Sequence, residues 1–197
     1  DYNFVLGVTL GYVSDNGNLA NGGDVDVNGG QVGAYAAWFM ENCYLTAAID
    51  GGYNSYDTHR VTVGGTASGS TDGYQFGAML GGGYNLVQGR WTFGPTFALE
   101  YTHVNVDGFT ETGSLAPLQI QDIKGQSLKS WLGAQVAYEL PVQSIVLRPL
   151  LQLTWLHESL DSVYSIDSSL ASGAGSVFQV DSPSLGRNGL GFSAGLN

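Results

Sequence analysis

The 197-residue chain is poor in charge, in bases and in cysteine. Only 12% of its residues are Asp, Glu, Lys or Arg, about half the share of an average soluble domain, which argues against an ordinary water-soluble globule. Its six bases, Arg60, Arg90, Lys124, Lys129, Arg148 and Arg187, are scattered and face 17 acids, for a formal net charge of -11. Neutralising phosphates takes clustered Lys and Arg, so no nucleic-acid partner is expected. One cysteine, Cys43, allows neither an internal disulfide nor a Cys-based metal cluster and reads as a small apolar side chain. Five prolines, and glycine in no three-residue repeat, exclude collagen, while 43% apolar residues argue against disorder. No run approaches the roughly 20 apolar residues of a membrane helix. The densest, 145–153, is interrupted by Arg148, Pro149 and Gln152. Asp1 follows no Met and no basic, apolar leader, so processing or truncation is expected to have removed the natural start.

What is abundant is glycine, 30 residues, with 8 Phe, 4 Trp and 11 Tyr, set in a period of two. Across 91–105 the odd positions read Trp91, Phe93, Pro95, Phe97, Leu99, Tyr101 and the even ones Thr92, Gly94, Thr96, Ala98, Glu100, Thr102. One face is bulky and apolar, the other small and polar. The same reading gives strands at 3–13, 31–40, from Cys43 to about Tyr53, at 72–86, 127–140, 145–155 and 190–196, eight in all. Trp131 alone departs from the alternation of its strand, and 31–40 is the least regular, with Tyr35 and Phe39 opposite Val32, Trp38 and Met40.

A soluble sandwich alternates too, so length and connections decide. Five strands hold their pattern for eleven residues or more, against about 5–6 in soluble sheets and roughly 9–11 for a strand that crosses a membrane. Short connections at 41–42, 87–89 and 141–143 alternate strictly with long ones at 14–30, 55–71, 106–126 and 159–189. Transmembrane barrels sort their loops this way, and Greek-key sandwiches do not. The long loops carry Asp15, Asp24, Asp26, Asp107, Glu111, Asp122, Asp161, Asp167 and Asp181, as solvated loops would. Asp50, Glu100, Lys129, Gln135, Glu139, Arg148, Gln152 and Glu158 fall on the small, polar parity, where a wet lumen tolerates charge that a dry core would not. Tyr12, Tyr84, Trp91, Tyr101, Tyr138 and Trp155 fall near strand ends on the apolar parity, as an interfacial girdle requires. The fold expected is an all-β, antiparallel transmembrane barrel.

Several segments together resemble the translocator barrel of autotransporters, the type V secretion proteins of Gram-negative bacteria. They are Phe4-Val5-Leu6-Gly7-Val8-Thr9-Leu10-Gly11-Tyr12, Gly33-Ala34-Tyr35-Ala36-Ala37-Trp38, Asp50-Gly51-Gly52-Tyr53, Gly94-Pro95 with Leu99-Glu100-Tyr101, Gly108-Phe109-Thr110-Glu111 and Trp155-Leu156-His157-Glu158. The order and spacing of these pieces, spread over nearly the whole chain, carry the resemblance. It implies one domain over 1–197, truncated at both ends, with about eight of twelve strands present. It also implies residence in the outer membrane and export of an N-terminal passenger. The partners implied are outer-membrane lipid, the protein's own passenger segment and the barrel-assembly machinery. A complete eight-stranded porin-like or adhesive barrel is the alternative architecture, and an outer-membrane esterase would need catalytic residues upstream.

No enzymatic or cofactor motif competes with this reading: there is no Gly-x-Ser-x-Gly elbow, phosphate loop or dinucleotide fingerprint. Lumenal Glu100, Glu139 and Glu158 match no motif for passenger cleavage. His59, His103 and His157 read as loop or interfacial residues rather than metal ligands. Asp24-Val25-Asp26-Val27-Asn28-Gly29 copies half a calcium loop, but Tyr35 stands where its terminal Glu belongs. Gly77 and Gly81 to Gly83 mark either close approach to the lumenal face or strand bending. Phe109 either docks a partner or packs its loop over the barrel mouth, with packing favoured. The first expectation is thus a solubility test. Refolded without detergent the chain should aggregate; a detergent-free monomer in analytical ultracentrifugation would contradict every membrane reading.

Overall fold

The computed structural model describes residues 2–18, 22–142, 145–173, 175–184 and 186–196. Eight strands form one antiparallel wall, in chain order: β1 (Tyr2–Asn18), β2 (Gly23–Met40), β3 (Cys43–Thr62), β4 (Gly65–Tyr84), β6 (Trp91–Val106), β9 (Ile123–Tyr138), β12 (Pro149–Glu158) and β15 (Asn188–Leu196), with β5 (Leu86–Gln88) added beside β6. The short β10 (Leu140–Val142) and β11 (Ile145–Leu147) pair with each other at the short-turn rim. At the opposite rim β7 (Phe109–Thr110), β8 (Leu118–Ile120), β13 (Ser165–Leu170) and β14 (Phe178–Asp181) make a second sheet. Among the described residues β1 and β15 do not pair with each other.

Register locks the two parities across the wall. One row of direct neighbours runs Phe4, Trp38, Leu45, Gly82, Phe97, Leu132, Trp155, Leu190. Apart from Gly82 each member is bulky, apolar and at least 38% exposed. The opposite face is covered instead: along β6, Thr92, Gly94 and Thr96 are buried while Trp91, Phe93, Pro95 and Phe97 are exposed. Among the described residues the buried hydrophobic set is Ala67 and Ala137 alone. A protein folded by water would bury these faces the other way round. The apolar face of β6 runs from Trp91 to Tyr101, ten residue steps of about 3.3 Å, which at a tilt of about 40° span the roughly 25 Å apolar band of an outer-membrane barrel. Trp91 and Tyr138 meet at its short-turn edge, ring centroids 4.6 Å apart. On β12 the exposed apolar run ends at Trp155, leaving Glu158 beyond it.

The eight wall strands overlap the segments the alternation marks, and the short turn at 41–42 stands as expected; Val87 and Gln88 are strand β5 with the turn at 89–90, Pro141 and Val142 are strand β10, and Gln143 lies outside the described residues. Two long loops do not stand as expected. Residues 14–30 and 55–71 are largely strand: β1 with β2, and β3 with β4, continue as ladders to Asn18↔Asp24 and Thr62↔Gly65. Past the apolar band the two faces of a hairpin no longer meet two different solvents, so the side-chain period disappears while the backbone bonds persist. Asp15, Asp24 and Asp26 are therefore strand residues. The 145–155 segment is broken at Arg148, where Pro149 cannot supply a ladder N–H.

The exposed apolar face generates a prediction. Leu99→Arg, in the middle of that face, should destabilise the full-length protein in micelles by about 2–4 kcal/mol, whereas Val61→Arg, on the β3 extension, should stay within about 0.5 kcal/mol. Urea unfolding checks both.

Candidate functional site

The site is the inner face, opposite the apolar one. One of its rows runs Gly7, Tyr35, Ala48, Met79, Glu100, Lys129, Glu158, another Gly33, Asp50, Gly77, Thr102, Ser127. Of the sequence-singled residues, Asp50, Glu100, Lys129, Gln135, Gln152 and Glu158 lie on this parity of the wall strands. Gln135 and Gln152 are direct cross-strand neighbours. Gln135 Nε2 donates to Asn85 Oδ1 at 2.9 Å and Gln152 Nε2 to Thr96 Oγ1 at 3.3 Å. Arg148 sits in the break between β11 and β12 and, with Tyr44, Asn85, Thr92 and Gln135, lines a recess of about 250 Å³ at the short-turn rim. Glu139 lies in the break between β9 and β10, exposed at the same rim, its N–H donating to the Arg90 carbonyl.

Glycines keep this face flat. A methyl group on Gly7 would strike the ring of Tyr35, its neighbour on β2, and one on Gly83 the ring of Tyr44 on β3. Each tyrosine lies down on a strand that has no Cβ at that point. Gly77 likewise leaves room for the Asp50 carboxylate, so Gly77 and Gly83 mark close approach on this face, while Gly82 lies on the apolar one. The departure at Trp131 is real. It stands on the inner parity between Ala98 and Leu156, an apolar row in a polar surface.

At the long-loop rim the inner parity carries two buried carboxylates. Glu158, 5% exposed, accepts from Ser127 Oγ at 2.5 Å and from the N–H groups of Leu128 and Leu160, both at 2.9 Å. Burial pushes its carboxyl up, but these donors and the Lys129 charge outweigh burial and hold it below the usual glutamate range. Glu111, 4% exposed, accepts two bonds from Arg60, Nε at 3.1 Å and Nη2 at 2.6 Å, and a third from the Leu118 N–H. Hydrogen bonding to Glu111 raises the pKa of the Arg60 guanidinium further. Phe109 packs on Gly69 and Tyr164 on Gly125. Phe109 thus packs its own loop. Burial and the nearby Asp161 and Glu158 charges raise the Tyr164 hydroxyl pKa.

The histidines stand on three different strands. Asp24, Asp26 and His59 place one ligand atom each within 4.8 Å of one another, with Asp24 Oδ2 3.2 Å from His59 Nδ1. They owe this to the β2–β3 register, not to a loop. Asp24 to Asn28 is extended strand, which overturns the half calcium loop as a geometry. His59 joins the two aspartates from 35 residues beyond Asp24, and Arg60 and Glu111 lie 51 apart, so neither grouping shows in the sequence.

A wall with its greasy side outward, a small polar opposite face and sorted rims defines a β-structured outer-membrane protein. The pattern of the family described as Autotransporter beta-domain matches residues 1–197, and the chain belongs to that family. It resembles the translocator domain of the autotransporter NalP from Neisseria meningitidis, with a TM-score of 0.68, 15% identity and coverage of 98% of this chain and 74% of that one. Against the β-domain of the Bordetella autotransporter BrkA the TM-score is 0.66 at 17% identity, covering 98% and 78%. Esterase EstA of Pseudomonas aeruginosa and that of Pseudomonas putida are each 28% identical over 128 residues, 60% of this chain and 20% of theirs. The chain therefore spans about a fifth of the curated relatives it matches.

The rim chemistry has a pH signature. A carboxyl depressed in the folded state adds stability that is complete above its ordinary value of 4.5 and lost as pH falls through the lower folded value. Glu158→Gln should accordingly flatten the acid limb of the stability curve below about pH 4.5, measured by denaturant midpoints in micelles.

Proposed function

We propose that this chain is the wall of a passenger-exporting pore of about twelve strands, and that the inner face is its conduit. The observation that carries the reading is the inverted burial, bulky apolar side chains outward and glycine, threonine and glutamine inward. Such a lumen offers an extended polypeptide few apolar contacts to stick to, while Asp50, Glu100 and Lys129 remain open to solvent. Alignment with about three-quarters of the NalP translocator supports a barrel larger than these eight strands. Outer-membrane lipid covers the apolar face, a barrel-assembly machinery inserts it, and the protein's own passenger is the cargo. The β-domain itself performs no catalysis in this reading. That two relatives are named as esterases favours an esterase as the exported part over a porin-like or adhesive barrel.

The test is surface display from the full-length gene with an epitope in the segment preceding the barrel. Intact cells should lose the epitope to added protease. Thr102→Trp, which puts a bulky ring on the inner face, should cut display several-fold while the folded barrel keeps its heat-modifiable mobility. Absence of any passenger-coding region upstream, or display that survives removal of the barrel, would refute the proposal.

A further inference from the structure

The long-loop mouth contains a seam. Strand β6 ends at Val106, opposite Gly73, so residues 65–72 of β4 project past their neighbour. That free edge is taken by the loop that follows β6. Asp107 N–H donates to Asp72 O at 2.9 Å, Ser68 and Thr112 exchange both backbone bonds at 2.9 Å, and Leu115 N–H reaches Val63 O at 3.1 Å. This is a thin ladder beside the continuous one that joins β3 to β4.

Side chains close the seam from the inner face. Glu111 extends across β4 to clasp Arg60 on β3, and Arg60 Nη2 also donates to the Ala116 carbonyl at 3.3 Å. Ala67, the cross-strand neighbour of Arg60, is 0% exposed. Leu115 packs on Gly64 in the turn between β3 and β4. The second long loop travels with the first. β13 pairs with β8, Gln121 N–H donates to Asp167 O and Ala171 N–H to Pro117 O. Both loops are rooted on β6, β9, β12 and β15, so their fastening to β4 and β3 can part while each hairpin stays whole. Among these contacts the one charge-assisted bond is two-pronged and joins residues 51 positions apart, beside the backbone bonds, the Thr71 hydroxyl donating to the Asp107 carbonyl at 2.6 Å and the packing of Phe109 on Gly69.

We propose that the seam between β4 and the β7–β8 hairpin is a gate in the mouth, closed by the Arg60–Glu111 clasp and opened for a passing polypeptide. It rests on the export reading but is tested separately from it. Ser68 and Thr112 form a hydrogen-bonded antiparallel pair, whose Cα spacing of about 5.5 Å suits a disulfide. In full-length protein carrying Cys43→Ala, the pair Ser68→Cys and Thr112→Cys should reduce passenger display at least about fivefold when oxidised, with recovery on adding reductant. Display unchanged in a barrel whose disulfide is verified by thiol alkylation overturns the gate and leaves the translocator standing. Loss of display in the unsubstituted protein overturns the translocator itself. As a second measurement, Glu111→Gln in planar bilayers should raise the open probability by about tenfold, the scale of a lost charge-assisted bond. Combining Arg60→Glu with Glu111→Arg should restore closure. An open probability that Glu111→Gln leaves unchanged, in protein with normal heat-modifiable mobility, also overturns the gate.

Discussion

The structure depends on one constraint: within hydrocarbon every backbone N–H and C=O must find its partner on a neighbouring strand. Side chains then contribute little to holding the wall as a wall, which is why so few apolar groups are buried. Their task is to match two solvents at once. The row from Phe4 to Leu190 presents the bulky apolar face, and the row from Gly7 to Glu158 the small, polar one. Low charge and high glycine follow from this division, since charge is excluded from one face and glycine is gathered on the other, where it seats inward rings such as Tyr35 and Tyr44.

Glycine takes the place that apolar packing holds in a soluble domain. Tyr35 on Gly7 and Tyr44 on Gly83 give large rings a flat seat on the adjacent strand, so inward aromatics join strands without filling the interior. The same device is used by the loops, with Phe109 on Gly69 and Tyr164 on Gly125. It lets the long-loop rim become a built structure, one in which buried Glu111 and Glu158 gather backbone and side-chain donors. The mouth is where this protein has something like a core, and it is polar.

Legibility in the sequence followed the contrast between solvents. β6 could be read from Trp91 to Asn105 because lipid and lumen demand opposite side chains at successive positions. The extensions of β1 to β4 could not, because beyond the apolar band they are no longer divided between two solvents: Asp15 to Asn18 stand exposed, while Ala67 and Gly69 are covered by another loop, and no alternation is left to display. Trp131 could be singled out as anomalous, but its neighbours Ala98 and Leu156 come from the register. Arg60 and Glu111 could each be named, as a scattered base and a loop acid, but nothing in the sequence joined two residues 51 positions apart.

The sequence by itself determined the fold class, the strand count of this wall, the short-turn rim and the polarity of each face, since these follow from period-two chemistry within single strands. Tertiary structure alone decided which distant residues meet: Asp24 with His59, Arg60 with Glu111, the two long loops with each other. The physical reason is that alternation is a property of one strand in its solvent, whereas register and loop docking are set by backbone bonds between strands, to which side-chain pattern is nearly blind once the two faces no longer meet different solvents.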